Sequence, residues 1–469
     1  YIMEKHDLIV IGMGPAGMAV TAMAANMNLD VLAIEKHKVG GECLNYGCVP
    51  SKALLKAGEV NEVAENLRQY GIKLAGKTEI ENPLEIVRKK VGEISGNKTM
   101  KAFDRAKLVV DQGEAKFVDK KVVEAAGKKY TADKIFIATG TEPMIPPIPG
   151  LKNVPRLTNL NIFEQENIPE TLTIIGGGAI GSEMAQAFSR LGSKVNMFQI
   201  DDHLVPTGDE EAGRVLEEKF EKEDIGVYNS TGINQVEEKE GKIITHTDVG
   251  VFESDKILVA TGRKAVLDPL QLDNAGIKYD KSGIKVNKRL ETNVKGVYAV
   301  GDCNGKALLS HAAMHQGMLA LMNAINPTPF KQFNYDDYLV PWSVFTKPEI
   351  AQAGITEKEA NEKGLNYQIV KERYEDYGRA IADGKPEGFV KVITNSKGKI
   401  FGATIVGESA SELIHEWILA IQHDISMFEI MMTQHSFPTI SLMNKRIAEK
   451  WMMNKTDSGM IPKLAKKLI

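Results

Sequence analysis

Cys43 and Cys48 lie five residues apart in Gly40-Gly41-Glu42-Cys43-Leu44-Asn45-Tyr46-Gly47-Cys48-Val49-Pro50-Ser51-Lys52, just after a glycine pair and just before a stretch that reads as helix. They are two of only three cysteines in 469 residues. A disulfide needs Cα atoms roughly 4.4–6.8 Å apart, whereas five residues of regular helix rise about 7.5 Å. Bridging this pair therefore demands a distorted turn, for which Gly47 and Pro50 are the sequence signals. A strained, accessible disulfide is more often a redox couple than a structural staple. The spacing does not suit zinc, whose structural sites use four ligands in CxxC-like pairs. From the two cysteines alone, a redox pair and an incidental one both stay open.

The elements around the pair come from a weak internal duplication. Leu8-Ile9-Val10-Ile11-Gly12-Met13-Gly14-Pro15-Ala16-Gly17 reads as an apolar strand, a glycine turn and the start of an Ala/Met-rich helix. Thr173-Ile174-Ile175-Gly176-Gly177-Gly178-Ala179-Ile180-Gly181 repeats the pattern 164 residues later, and second apolar strands follow at Val31–Ile34 and Val195–Phe198. This is the Rossmann fingerprint: a tight turn, close approach of backbone to a pyrophosphate, and phosphate at a helix N-terminus. Strand before and helix after each copy is the context that makes the motif meaningful.

The residue ending each second strand decides how a ribose is held. Glu35 in the first copy suits the hydroxyls of an adenosine ribose. The same offset in the second copy gives Gln199, which can bond a free 2′-hydroxyl but does not repel a 2′-phosphate. No arginine follows until Arg214, and His203 and Lys194 are the remaining cations nearby. NADH is favoured over NADPH, with both kept.

Composition excludes several classes. The chain is 43% hydrophobic and 26% charged with net charge −4, so no basic field points to nucleic acid. No apolar run reaches the roughly 18 residues of a spanning helix. Few cysteines and no secretory layout at the N-terminus lead to the expectation of a reducing, cytoplasmic compartment. Nineteen methionines read as adaptable core packing. Ile461, Leu464, Ala465 and Leu468 share one helical face of the tail, a pattern for docking on the subunit or, less simply, on a membrane surface.

The GGxCxxxxC…PSK stretch resembles the active-site motif of the flavin-dependent pyridine nucleotide–disulfide oxidoreductases, the family of dihydrolipoamide dehydrogenase, glutathione reductase and mercuric reductase. The resemblance runs over nearly the whole chain. It implies an α/β fold with two Rossmann-like dinucleotide-binding domains and a C-terminal α+β dimerisation domain. The implied boundaries are 1–150 and 271–334 for FAD, 151–270 for NADH or NADPH, and 335–469 for a homodimer interface that completes the partner's site. FAD would lie against Gly12, Gly14, Gly17, Glu35, Gly41, Thr139, Gly140, Asp302 and Ala312, with Asp302 on the ribityl chain. The nicotinamide nucleotide would lie against Gly176, Gly178, Gly181, Gln199 and Gly262. Cys48 would be the thiolate beside the flavin, Cys43 the outer thiol that exchanges with substrate, and Lys52 would pair with Glu183 near the flavin. No metal site is implied.

The chain departs from the family at one place. Dihydrolipoamide dehydrogenases and glutathione reductases carry His-Pro-Thr with a glutamate three residues past the Thr, an acid–base pair for the outer thiol. Here the segment reads His435-Ser436-Phe437-Pro438-Thr439-Ile440-Ser441-Leu442, so Phe437 and Leu442 stand at the two positions, and neither can move a proton. Phe437-Pro438 is similar to the mercuric reductase branch, yet vicinal C-terminal cysteines are missing from Lys463–Ile469. His435 is read as a packed or surface histidine, and His415-Glu416 as structural or interface residues. Cys303 is read as a small packed residue. The expected activity is hydride transfer from a nicotinamide through flavin and the Cys43–Cys48 disulfide to a small acceptor, a quinone, metal ion or disulfide. A dihydrolipoamide dehydrogenase with another base and a redox-sensing flavoprotein are the alternatives.

Overall fold

The computed structural model describes residues 3–74, 76, 78–328 and 332–457. The proposed amphipathic tail lies outside them.

Both duplicated units form parallel sheets in the same strand order. In the first, Lys107–Val110, Val31–Glu35, Glu4–Ile11 and Lys128–Ile137 lie side by side. Val297–Ala299 adds in parallel to the far side of the last strand, so a segment 160 residues downstream completes this sheet. In the second, Gly226–Tyr228, Lys194–Phe198, Thr171–Ile175 and Lys256–Val259 repeat the arrangement. The strands are rich in Val, Ile and Leu where both faces are buried: in the second unit Ile174 and Leu258 pack with the Ala179–Arg190 helix on one side, and Ile175, Ile257 and Val259 with Val236 and Ile243 of an antiparallel sheet on the other. Val31–Glu35 is buried at every position.

The glycine turns follow from close approach. Gly12 has φ +95°, and a Cβ there would lie 2.4 Å from the Ala138 carbonyl oxygen. Gly176 repeats this with φ +108° and 2.4 Å to the Ala260 oxygen. The helices Pro15–Asn26 and Ala179–Arg190 then pack directly on the turns.

Thr141–Pro143 and Arg263–Ala265 pair antiparallel and tie the two units together just beyond their Ala-Thr-Gly segments. The C-terminal part is a five-stranded antiparallel sheet, ordered Trp342–Val344, Glu349–Gly354, Ile400–Gly407, Phe389–Thr394 and Gln368–Arg373. The helices Ala410–Gln422 and Leu442–Asp457 cover it around buried Trp417, Ile447 and Trp451. Among the described residues no helix is long and apolar enough to cross a membrane.

Candidate active site

The distorted turn is a break between two helices. Gly41–Tyr46 and Cys48–Glu65 are separated by Gly47, whose φ −137° and ψ −103° lie outside the helical region. The break folds Cys43 back over the start of the next helix, and the two sulfurs stand 2.7 Å apart as free thiols. A disulfide bond is about 2.05 Å long, so closure needs a movement of less than about 1 Å.

The two sulfurs are not equivalent. The hydrogen bond from Cys43 lowers the Cys48 thiol to about 6, with the Ser310 hydroxyl and the charge of Lys52 acting in the same direction against burial. Giving up that hydrogen bond, together with burial, pushes the Cys43 thiol up. The pair titrates as a unit in which the first proton leaves early and the second stays on the outer sulfur. Ser310 Oγ lies 3.2 Å from Cys48 Sγ. Lys52 reaches from the next turn to Glu183, Nζ to Oε2 2.7 Å, and packs over the Phe345 ring at 4.3 Å. Glu183 is buried and its other oxygen accepts from the Phe345 amide at 3.1 Å.

Sequence reasoning missed the polar chain beside this pair. Arg263 donates to the Thr141 hydroxyl at 2.7 Å, to the Thr141 carbonyl at 2.8 Å and to the Glu42 carboxylate. Asn159 also donates to Glu42, at 2.9 Å. Thr141 Oγ1 lies 3.2 Å from Asp302 Oδ2. Burial raises the Asp302 carboxyl, and the Arg263 charge opposes that rise. Arg263 follows the second Ala-Thr-Gly directly, but its partners come from two distant segments that no local spacing links.

The residues expected at the two nucleotides fit them. A Cβ on Gly14, Gly140 or Gly178 would meet nothing within 4 Å, which leaves the phosphate approaches open, and Gly41 backs onto Gly14, where its own Cβ would stand 2.7 Å from the Gly14 Cα. Gly17 and Gly181 pack against their turns, a Cβ on either falling under 2 Å from the Gly12 or Gly176 carbonyl oxygen. Thr139 Oγ1 is buried without a hydrogen-bond partner. Ala312 is buried in the Ser310–Ile325 helix.

Glu35 is buried at the end of its strand. Its two oxygens already accept from the amides of Met13, at 2.7 Å, and His37, at 2.9 Å. It shapes the glycine loop first, and only its remaining lone pairs face a ribose. Gln199 differs: its Nε2 donates to Asn229 at 2.6 Å, while its Oε1 lies against Gly177, buried and unpartnered. Lys194 begins its strand, at the end away from the nucleotide crevice. Arg214 is committed to Glu210 and Glu217. His203 is buried with Nδ1 2.9 Å from the Leu204 carbonyl.

The C-terminal loop adds a pairing that sequence reasoning missed. Glu416 pairs with His435, Oε1 to Nε2 3.0 Å, although the two are 19 residues apart. Trp417 donates to Asn444 at 2.8 Å and Asn444 to Glu416 at 2.8 Å, so the carboxylate sits at the end of a buried polar chain. His435 is thus neither a surface histidine nor merely packed. Phe437 is 79% exposed. Its loop is held by hydrogen bonds from Arg379 to the Pro438 carbonyl and from Tyr377 to the Thr439 carbonyl, both 2.8 Å. Burial pushes the Cys303 thiol up to about 12, which agrees with a packed, inert role. Among the described residues no His/Cys/Asp/Glu group could hold a metal.

This combination of a doubled dinucleotide fold and a poised thiol pair defines a flavin-dependent disulfide oxidoreductase. The chain belongs to the pyridine nucleotide-disulphide oxidoreductase family: residues 6–317 match its family model, and residues 340–446 match the family's dimerisation domain. It is 36% identical over 454 residues to dihydrolipoyl dehydrogenase of Thermus scotoductus, covering 94% of this chain and 96% of the relative. It is 31% identical over 434 residues to mercuric reductase of Staphylococcus aureus, covering 91% and 78%. The fold is also similar to that of the HOCl-induced flavoprotein disulfide reductase RclA from Escherichia coli, with TM-score 0.85, 23% identity, and 96% and 100% of the two chains covered. As in its family, the enzyme uses FAD and NAD(P)H.

Proposed function

We propose that this enzyme oxidises NADH and delivers the electron pair through Cys43 and Cys48 to a small acceptor that needs no general base, a quinone, a metal ion or a reactive disulfide. When bound, FAD supplies the two-electron relay between nicotinamide and disulfide. Gly12, Gly14, Gly17, Glu35, Gly41, Thr139, Gly140, Asp302 and Ala312 would hold it, and Gly176, Gly178, Gly181, Gln199 and Gly262 would hold the nicotinamide nucleotide. Cys48 keeps the charge of the reduced pair, Cys43 keeps its proton, and the Lys52–Glu183 pair fixes a positive charge nearby.

The observation that carries this reading is the C-terminal loop. Phe437 and Leu442 stand where a base and its orienting carboxylate are expected, and Phe437 is presented to the outside. His435 does not fill the gap. Its Nε2 faces Glu416 and its Nδ1 faces the Thr433 carbonyl at 3.2 Å. Both ring nitrogens already face a protein oxygen, so neither is turned toward a thiol. The loop would meet Cys43 of a second copy in a homodimer.

The preference for NADH rests on Gln199. Its unpartnered oxygen accepts from a free 2′-hydroxyl. Behind it, Asn229 donates to Glu217 at 2.8 Å, and that carboxylate disfavours a 2′-phosphate.

One observation favours a second reading. The 3.0 Å Glu416–His435 contact is itself an acid–base pairing, and a swing of that ring toward a partner's outer thiol would restore dihydrolipoamide dehydrogenase chemistry. Steady-state rates decide between the two. The first reading expects NADH oxidation with a quinone, metal-ion or small-disulfide acceptor to exceed dihydrolipoamide oxidation by NAD at least about tenfold. Fast dihydrolipoamide turnover that collapses in Glu416→Gln would replace it with the second.

A further inference from the structure

We propose that Ser310 is the hydrogen-bond donor that holds Cys48 as the attacking thiolate once Cys43 is engaged by an acceptor. This deepens the disulfide-relay reading and rests on it.

In the reduced pair, Cys48 Sγ faces the Cys43 thiol at 2.7 Å and the Ser310 hydroxyl at 3.2 Å. A thiolate only accepts, so in that state the hydroxyl donates. The first donor does not survive turnover. With an organic disulfide as acceptor, Cys43 releases its proton to solvent and, as thiolate, attacks one sulfur of R–S–S–R′, forms Cys43–S–S–R and expels R′S⁻. The Cys48 thiolate then attacks Cys43 Sγ, closes the Cys43–Cys48 bond and expels RS⁻. Two electrons leave the dithiol and reside on the two released thiolates, which take protons from solvent. Between the two attacks Cys43 carries no S–H, and the charge on Cys48 has lost its nearest partner.

The other nearby groups do not replace it. Lys52 is committed to Glu183 at 2.7 Å and to the Phe345 face. Ser310 is the first residue of the 16-residue Ser310–Ile325 helix, so its hydroxyl is delivered by an element that does not move with Cys43. The donor is independent of the redox state of the pair, and charge-assisted bonds of this type are about twice as strong as neutral ones.

The test uses FAD-loaded protein with Cys43→Ala, which stands in for the engaged outer sulfur. In this background, the pH dependence of iodoacetamide alkylation of Cys48, read by mass spectrometry, and of the long-wavelength thiolate–flavin absorbance are compared for Ser310, Ser310→Ala and Ser310→Thr. Ser310→Ala is expected to move both profiles to higher pH by about one unit, an about tenfold loss of thiolate on the acid side. Ser310→Thr is expected to restore them. Unchanged profiles in Ser310→Ala, with flavin content and circular dichroism intact, overturn the proposal. The relay reading is checked separately by anaerobic NADH titration of the wild type. Failure to take up two electrons beyond those of the flavin would remove that reading whatever Ser310 does.

Discussion

The two sulfurs of one motif meet opposite surroundings. Cys48 is ringed by donors and a cation: Cys43, Ser310 and Lys52 all favour its thiolate. Cys43 lacks the base expected from dihydrolipoamide dehydrogenases and glutathione reductases, because Phe437 stands at that position of the loop, and His435 two residues upstream faces Glu416 and Thr433. On the proposed function, the side that receives electrons is fully built, whereas the side that hands them on has no proton-transfer pair at the Phe437 and Leu442 positions. Chemistry at the inner sulfur needs a stable charge. On the same proposal, chemistry at the outer sulfur goes to an acceptor that brings its own reactivity.

The strongest way to break this contrast is to remove a sulfur. Cys43→Ser or Cys48→Ser is expected to lower turnover through the pair by about 10³-fold or more and to abolish electron uptake beyond that of the flavin, as read by anaerobic NADH titration. Retained acceptor reduction in both variants would mean that electrons leave from the flavin directly.

Lys52→Met should come next. It leaves the buried Glu183 carboxylate without its cation, for an expected loss of about 3 kcal/mol in thermal or denaturant unfolding. It also moves Cys48 alkylation toward higher pH. In the wild type the Cys48 thiol is lowered to about 6, so thiolate prevails above that pH and is lost below it. Alkylation of the reduced enzyme should be nearly level above pH 7 and should fall toward tenfold per unit well below pH 6.

The outer end can be rebuilt. Phe437→His with Leu442→Glu is expected to raise dihydrolipoamide oxidation about tenfold or more, since a positioned base contributes on that order or above. No gain would indicate that the loop does not reach the outer thiol. The smallest expected effect belongs to Glu416→Gln, which keeps the bond from Asn444 but removes the charge facing His435. A stability loss of about 1 kcal/mol with turnover nearly unchanged fits a structural pair. A large loss of turnover would return proton transfer to His435.

Much of the site was legible because it is local. The Gly47 break, the cysteine spacing and both glycine turns are written in consecutive residues, and so were the strands that lead to them. Glu183 was placed opposite Lys52 only through the family resemblance, and the 2.7 Å contact is what geometry adds. Arg263, Ser310 and the Glu416–His435 pair were not legible. Their partners lie 221, 262 and 19 residues away, and a side chain's reach across such separations depends on which elements pack together. His415-Glu416 read from sequence as structural or interface residues, and the Asn444–Trp417 chain adds where the carboxylate points.

The sequence alone determined that two phosphate-binding turns and one thiol pair exist, since backbone sterics at glycine and a helix break are short-range effects. Only the tertiary structure decided which carboxylates are already occupied and whether His435 is free. Those properties come from desolvation and hydrogen bonds among segments brought together by packing, and one-dimensional spacing carries no record of them.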